Sequence, residues 1–166
     1  TMKTFHLFAV LVTLPLLLVG CGEKAIVNDE ELELHEGIYC LVGSDTPYTG
    51  KSFALYENGQ KRSETNWKDG KMDGLWISWH ENGQKGAETN FKDGKPDGQT
   101  IAWHDNGQKQ SEANWKDGKL NGLKTTWYKN GQKFMKGNWK DGNKVSAKYW
   151  NPKGEPVNLF DETKTE

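Results

Sequence analysis

The 166-residue chain carries 22 basic and 23 acidic side chains, a net charge of −1, which excludes the strongly positive field of a dedicated nucleic-acid binder. Only 34% of residues are apolar, yet there are 19 glycines and 8 tryptophans, a composition of short strands and many turns rather than of disorder. Two cysteines exclude a disulfide-rich scaffold, and the length suits one domain.

Residues 1–20 read as an address. Lys3 and His6 give a basic end, and Leu7 to Leu18 form an apolar stretch too short to span a membrane comfortably. The stretch ends in Leu18-Val19-Gly20-Cys21, which resembles the lipobox of bacterial lipoproteins. That resemblance implies cleavage before Cys21, lipid on its thiol and a stable membrane anchor. Gly22 follows, instead of the Asp that retains such proteins in the inner membrane, so the outer membrane of a bacterial envelope is implied.

Residues 21–36 carry Asp29, Glu30, Glu31, Glu33 and Glu36 and read as an acidic tether, although Leu32-Glu33-Leu34 also suits a short strand or helix. Cys40 lies in the apolar run Ile38 to Val42 and is expected to be a small buried residue, not a nucleophile. Residues 155–166 read as a flexible tail.

The body, residues 37–154, repeats every 24 residues. Asn-Gly recurs with Gly59, Gly83, Gly107 and Gly131, and Asp-Gly with Gly70, Gly94, Gly118 and Gly142. Trp67, Phe91, Trp115 and Trp139 keep the same step, as do Leu55, Trp79, Trp103 and Trp127. Two turn signals per repeat predict two antiparallel strands per repeat. The expected fold is all-β, a single antiparallel meander of about ten strands, roughly 43 Å across at strand spacing.

Register follows from loop length. Two-residue loops throughout place Glu64 and Glu88 among the apolar residues. Three-residue loops with a left-handed Gly bulge place Trp67, Trp79, Phe91, Trp103, Trp115 and Trp127 on one face. The cleaner alternation selects the bulged loops. The glycines of the turns are then structural, and the aromatic row, with Trp139, is the expected binding surface, because a one-layer sheet leaves part of it uncovered.

The run Tyr56-Glu57-Asn58-Gly59-Gln60-Lys61 through Asn66-Trp67-Lys68-Asp69-Gly70-Lys71-Met72-Asp73-Gly74 resembles the MORN-variant repeat, with copies at 80–98, 104–122 and 128–142. Pro47-Tyr48-Thr49-Gly50-Lys51 is similar to the opening of bacterial lipoproteins of the YwqK antitoxin type. The resemblance implies a hairpin array for protein or membrane association, and a toxin partner in the antitoxin case. It carries no catalytic residue and no cofactor.

Other chemistry is weaker. His80 and His104 share a repeat position about 9.6 Å apart, too far for one zinc ion. Asp69 with Asp73 and Asp93 with Asp97 lack the spacing of a calcium loop and suit tight turns. Lys68, Lys71, Lys92, Lys95, Lys116 and Lys119 form a rim that neighbouring aspartates offset. A non-enzymatic, membrane-anchored scaffold that binds a protein partner is the leading reading. A glycan-binding Trp ladder and a toxin-neutralising or immunity-type protein are the alternatives.

Overall fold

The structure, a computed structural model, describes residues 26–157. Cys21 and the stretch read as an address lie outside the described residues, as do residues 158–166.

Fourteen strands are described: β1 (Ile26–Asn28), β2 (Leu32–His35), β3 (Ile38–Leu41), β4 (Gly50–Leu55), β5 (Lys61–Lys68), β6 (Lys71–Met72), β7 (Gly74–Trp79), β8 (Lys85–Lys92), β9 (Lys95–Trp103), β10 (Lys109–Lys116), β11 (Lys119–Trp127), β12 (Lys133–Lys140), β13 (Asn143–Trp150) and β14 (Pro156–Val157). Twelve form one sheet in chain order, β1-β4-β5-β7 through β14, with β6 also beside β5; β2 and β3 form a separate hairpin. The sheet is the meander that the 24-residue period predicts. No helix among the described residues is long and apolar enough to cross a membrane.

The stretch read as a tether is folded from Ile26 onward. β1 runs parallel to β4, and Asn28 and Glu31 form a reciprocal capping box over one 3₁₀ turn. The β2–β3 hairpin then lies across the first Asp-Gly turn. Tyr39 N–H donates to the Gly70 carbonyl at 2.9 Å, Gly70 N–H donates to Tyr48 at 2.8 Å, and the Tyr39 ring meets Trp67 at 4.6 Å. Gly70 has no room for a side chain, because a Cβ would overlap the Ile38 side chain. This hairpin covers the N-terminal end of the array and buries Cys40 to 2% exposure. At the other end Pro156–Val157 pair with Tyr149 and Trp150, so the sheet reaches into the stretch read as tail.

The two turn types differ. Each Asn-Gly loop has three residues: Gly59 N–H donates to Tyr56 and Tyr56 N–H to Gln60, with Gly59 at φ 80° in the left-handed bulge. Each Asp-Gly loop has two. Lys68 pairs directly with Lys71, and both Asp69 (φ 50°) and Gly70 (φ 72°) are left-handed, the type I′ geometry. The expectation of three-residue loops at every turn is therefore half right.

The expected single aromatic face does not form. One extra residue follows each Asn-Gly loop, namely Arg62, Gly86, Gln110 and Phe134, and each of these bulges reverses the slip that the loop introduces. Ile77 consequently lies opposite both Glu64 and Glu88. A second bulge sets Asp97, Gly98 and Gln99 against the single residue Asn90, a shift of two that leaves the faces unchanged.

Candidate functional site

The register sorts the recurring side chains onto two faces. The first carries Ser52, Thr65, Trp67, Trp76, Thr89, Phe91, Thr100, Ala113, Trp115, Met135 and Trp139. Here each ring of the Trp67 series lies opposite a glycine: Trp67 and Gly50, Phe91 and Gly74, Trp115 and Gly98, Trp139 and Gly122. Glycine leaves room for a ring to lie across the neighbouring strand. The equivalent positions Thr65, Thr89, Ala113 and Gly137 are all buried, so this face holds the core. Trp67 is itself buried and donates its indole N–H to Ser52 Oγ at 2.7 Å. A groove of about 450 Å³ runs along the same face, over Ser63, Ser78, Ala87 and Ala102.

The opposite face carries the second aromatic row, Trp79, Trp103 and Trp127, with Leu55, Leu75, Ile77, Ile101 and Leu123. Glu64, Glu88 and Glu112 share it. The charge is tolerated because each glutamate holds a lysine three residues earlier: Lys61–Glu64, Lys85–Glu88 and Lys109–Glu112, all at 2.9 Å. The same three ammonium groups lie over the rings of Trp79, Trp103 and Trp127 at 5.4, 5.4 and 5.5 Å. Each of the first three repeats thus builds one carboxylate–ammonium–indole unit. At Glu64 the hydrogen bond from Lys61, followed by that from Lys51, holds the carboxyl below its usual range. Between these units Leu55, Leu75 and Leu123 stay exposed, at 44%, 38% and 39%.

The turns form a ladder on each edge. Asn82 Oδ1 accepts from Gln84 N–H, and its Nδ2 donates to the Asp105 carbonyl of the next loop at 2.7 Å; Asn106 and Asn130 do the same. On the other edge Gly94 N–H donates to Met72, Gly118 to Pro96 and Gly142 to Leu120. Asp73 and Asp97 accept from the N–H groups of Asp93 and Asp117. The aspartates are turn residues that also bind the next turn. Gly74, Gly98 and Gly122, at φ 102°, 99° and 110°, sit in the second bulge, where the Asn66 and Asn114 side chains donate to the carbonyls of Leu75 and Leu123.

The histidines belong to the same scheme. His80 Nε2 lies 2.9 Å from the Trp103 carbonyl and His104 Nε2 lies 3.0 Å from that of Trp127. Tyr56 and Tyr128 donate their hydroxyls to Trp79 and Trp150 from the equivalent position. These side chains staple successive loops together. Among the described residues no three of His, Cys, Asp or Glu come together as metal ligands. The six rim lysines do line the Asp-Gly edge, in the directly opposed pairs Lys68–Lys71, Lys92–Lys95 and Lys116–Lys119.

The sequence reading missed the lysine–tryptophan stacking and the division of the rings between faces. The signal for the stacking was present: Lys61, Glu64 and Trp79 all recur at the 24-residue step.

Residues 48–69, 72–93, 96–117 and 120–141 each match the model of the MORN repeat variant, and together they span more than half of the chain. One solved structure that the chain is similar to is the Glycosylation Associate Protein (Gap123) complex from Streptococcus agalactiae. The identity is 16% and the TM-score 0.35, over 81% of this chain and 23% of that one. No curated protein matches the chain.

Proposed function

The chain belongs to the MORN repeat variant family, and on that premise we propose that it is a non-enzymatic scaffold that binds a protein partner. The binding face is the one that carries Trp79, Trp103 and Trp127. The observation that carries this reading is the exposure of Leu75 and Leu123 beside half-buried rings and paired charges. Apolar area rimmed by charge is what a protein interface uses. A lysine over each ring occupies a face on which a sugar would stack, which favours a protein over a glycan. The other aromatic row serves the core, led by the buried Trp67.

In this reading a lipid on Cys21 holds the scaffold at the bacterial envelope. Only four residues separate Cys21 from β1 at Ile26, so the array would stand close to the bilayer. The test pairs two experiments. Leu75→Asp with Leu123→Asp, both on exposed side chains, is expected to abolish partner capture from envelope extracts while the melting temperature holds. Capture that survives the double substitution would overturn the choice of face. Cys21→Ser is expected to release the protein from membranes or leave its signal uncut; normal cleavage with membrane retention would overturn the anchor.

A further inference from the structure

Three repeats neutralise their own stacked lysine with Glu64, Glu88 or Glu112. In the fourth repeat the equivalent residue is Lys136, and Lys133 keeps only the Trp150 ring, 5.3 Å away. Lys136 lies directly opposite Lys148 on β13, and both are exposed. Opposed like charges are unfavourable. Opposed lysines also flank the Asp-Gly turns, but there an aspartate sits between them, as Asp69 does between Lys68 and Lys71. Among the described residues no carboxylate lies within ion-pair distance of Lys133, Lys136 or Lys148. The imbalance extends over this end of the sheet. Residues 124–157 carry eight lysines against Asp141 and Glu155, whereas residues 26–123 carry eleven basic and seventeen acidic side chains.

The same end presents an open strand edge. β13 is paired with β12 along its length, but β14 meets it only at Tyr149 and Trp150. From Asn143 to Lys148 its outer backbone groups have no strand neighbour among the described residues, and Val145 is 67% exposed there. An unpaired edge recruits an extended segment through main-chain hydrogen bonds, and alternate side chains then choose the partner.

We infer that β13 is the acceptor for an extended acidic segment of a partner protein, which adds to its open edge and places a carboxylate beside Lys148, with Lys136 one strand further in. A lipid headgroup would answer the charge but not the row of backbone donors and acceptors. The site uses other residues than the Leu75–Leu123 surface, so the inference stands or falls independently of the reading above.

The probe is a labelled nine-residue peptide alternating Thr and Glu, with a Thr/Gln peptide and phosphatidylglycerol vesicles as comparisons, titrated onto the full chain. The Glu peptide is expected to bind at least about tenfold more tightly than the Gln peptide and to weaken as salt rises. Lys136→Glu, which restores the residue of the first three repeats and removes an opposed like pair, should weaken binding about tenfold. Lys71→Glu, on the Asp-Gly edge of the first repeat, should leave it unchanged. Equal binding by Lys136→Glu, or by the Gln peptide, would overturn the inference. So would vesicle binding that Lys136→Glu abolishes while the peptide is ignored. Tighter peptide binding after the chain is ended at Val157 would give the edge to residues 158–166, with Asp161 and Glu162, and would also overturn it.

Discussion

Two tryptophans at the same repeat position have different duties. Trp67 gives its indole N–H to Ser52 Oγ, and both groups are buried. Trp115 Nε1 is buried with no hydrogen-bond partner among the described residues, and Phe91 fills the equivalent place one repeat earlier. Trp67→Phe leaves the Ser52 hydroxyl unpaired, at a cost of about 1–3 kcal/mol. Trp115→Phe removes an unpaired donor and should cost less than about 1 kcal/mol. Urea midpoints of the two variants measure the difference, and equal losses would contradict these assignments. Gly137 tests packing at the same scale. A Cβ there would overlap the Ser146 carbonyl oxygen and stand 2.9 Å from the Trp139 ring. Gly137→Val should therefore lower stability by about 1–3 kcal/mol or more through overpacking, without any left-handed backbone to blame.

Single elements are tied to their neighbours by the loop staples and the charged units. His104→Tyr should preserve the link to the Trp127 carbonyl, because Tyr56 and Tyr128 make the same contact. His104→Ala should lose about 0.5–1.5 kcal/mol, read by thermal melting. The Glu64 unit supplies a pH dependence. Its carboxyl is held low by Lys61 first and Lys51 second, so the folded state binds the proton less readily than the unfolded chain. That contribution is complete above the ordinary value of 4.5 and is lost as pH falls through the lowered folded value. Glu64→Gln should thus be less stable than the parent near pH 7 and converge with it at an acid pH below the lowered folded value. A constant gap in the denaturation midpoints at both pH values would refute the unit. The sequence showed these elements and their turns, because Asn-Gly and Asp-Gly name hairpins directly. It did not show the register. Arg62, Gln110 and Phe134 occupy the bulges without any residue type that marks a bulge, and only Gly86 hints at one. That uncounted residue, together with the third residue expected in each Asp-Gly loop, was enough to merge two aromatic faces into one.

At the scale of the molecule the array is one-dimensional. Each repeat touches mainly the one before and the one after; the N-terminal hairpin covers one end, and β14 covers only part of the other. The 24-residue step made this architecture legible from the outset, whereas the N-terminal cover was hidden in a short acidic stretch with only Leu32 and Leu34 to suggest a strand. Stability in such an array is roughly a sum of repeat and interface terms. Excising residues 84–107 joins Gly83 to Gln108 and so restores an intact Asn-Gly-Gln loop. The shortened chain should fold, with the same β signature by circular dichroism and a lower melting temperature; an unfolded product would contradict the additive picture.

The choice of binding face depends on the register that separates the Trp67 row from the Trp103 row. Cross-strand nuclear Overhauser contacts on the labelled protein test it most directly. The register predicts backbone contacts that place Glu88 opposite both Ile77 and Ile101. Contacts that place Ile77 opposite Ala87 instead would put Phe91 on the face of Trp79 and contradict it.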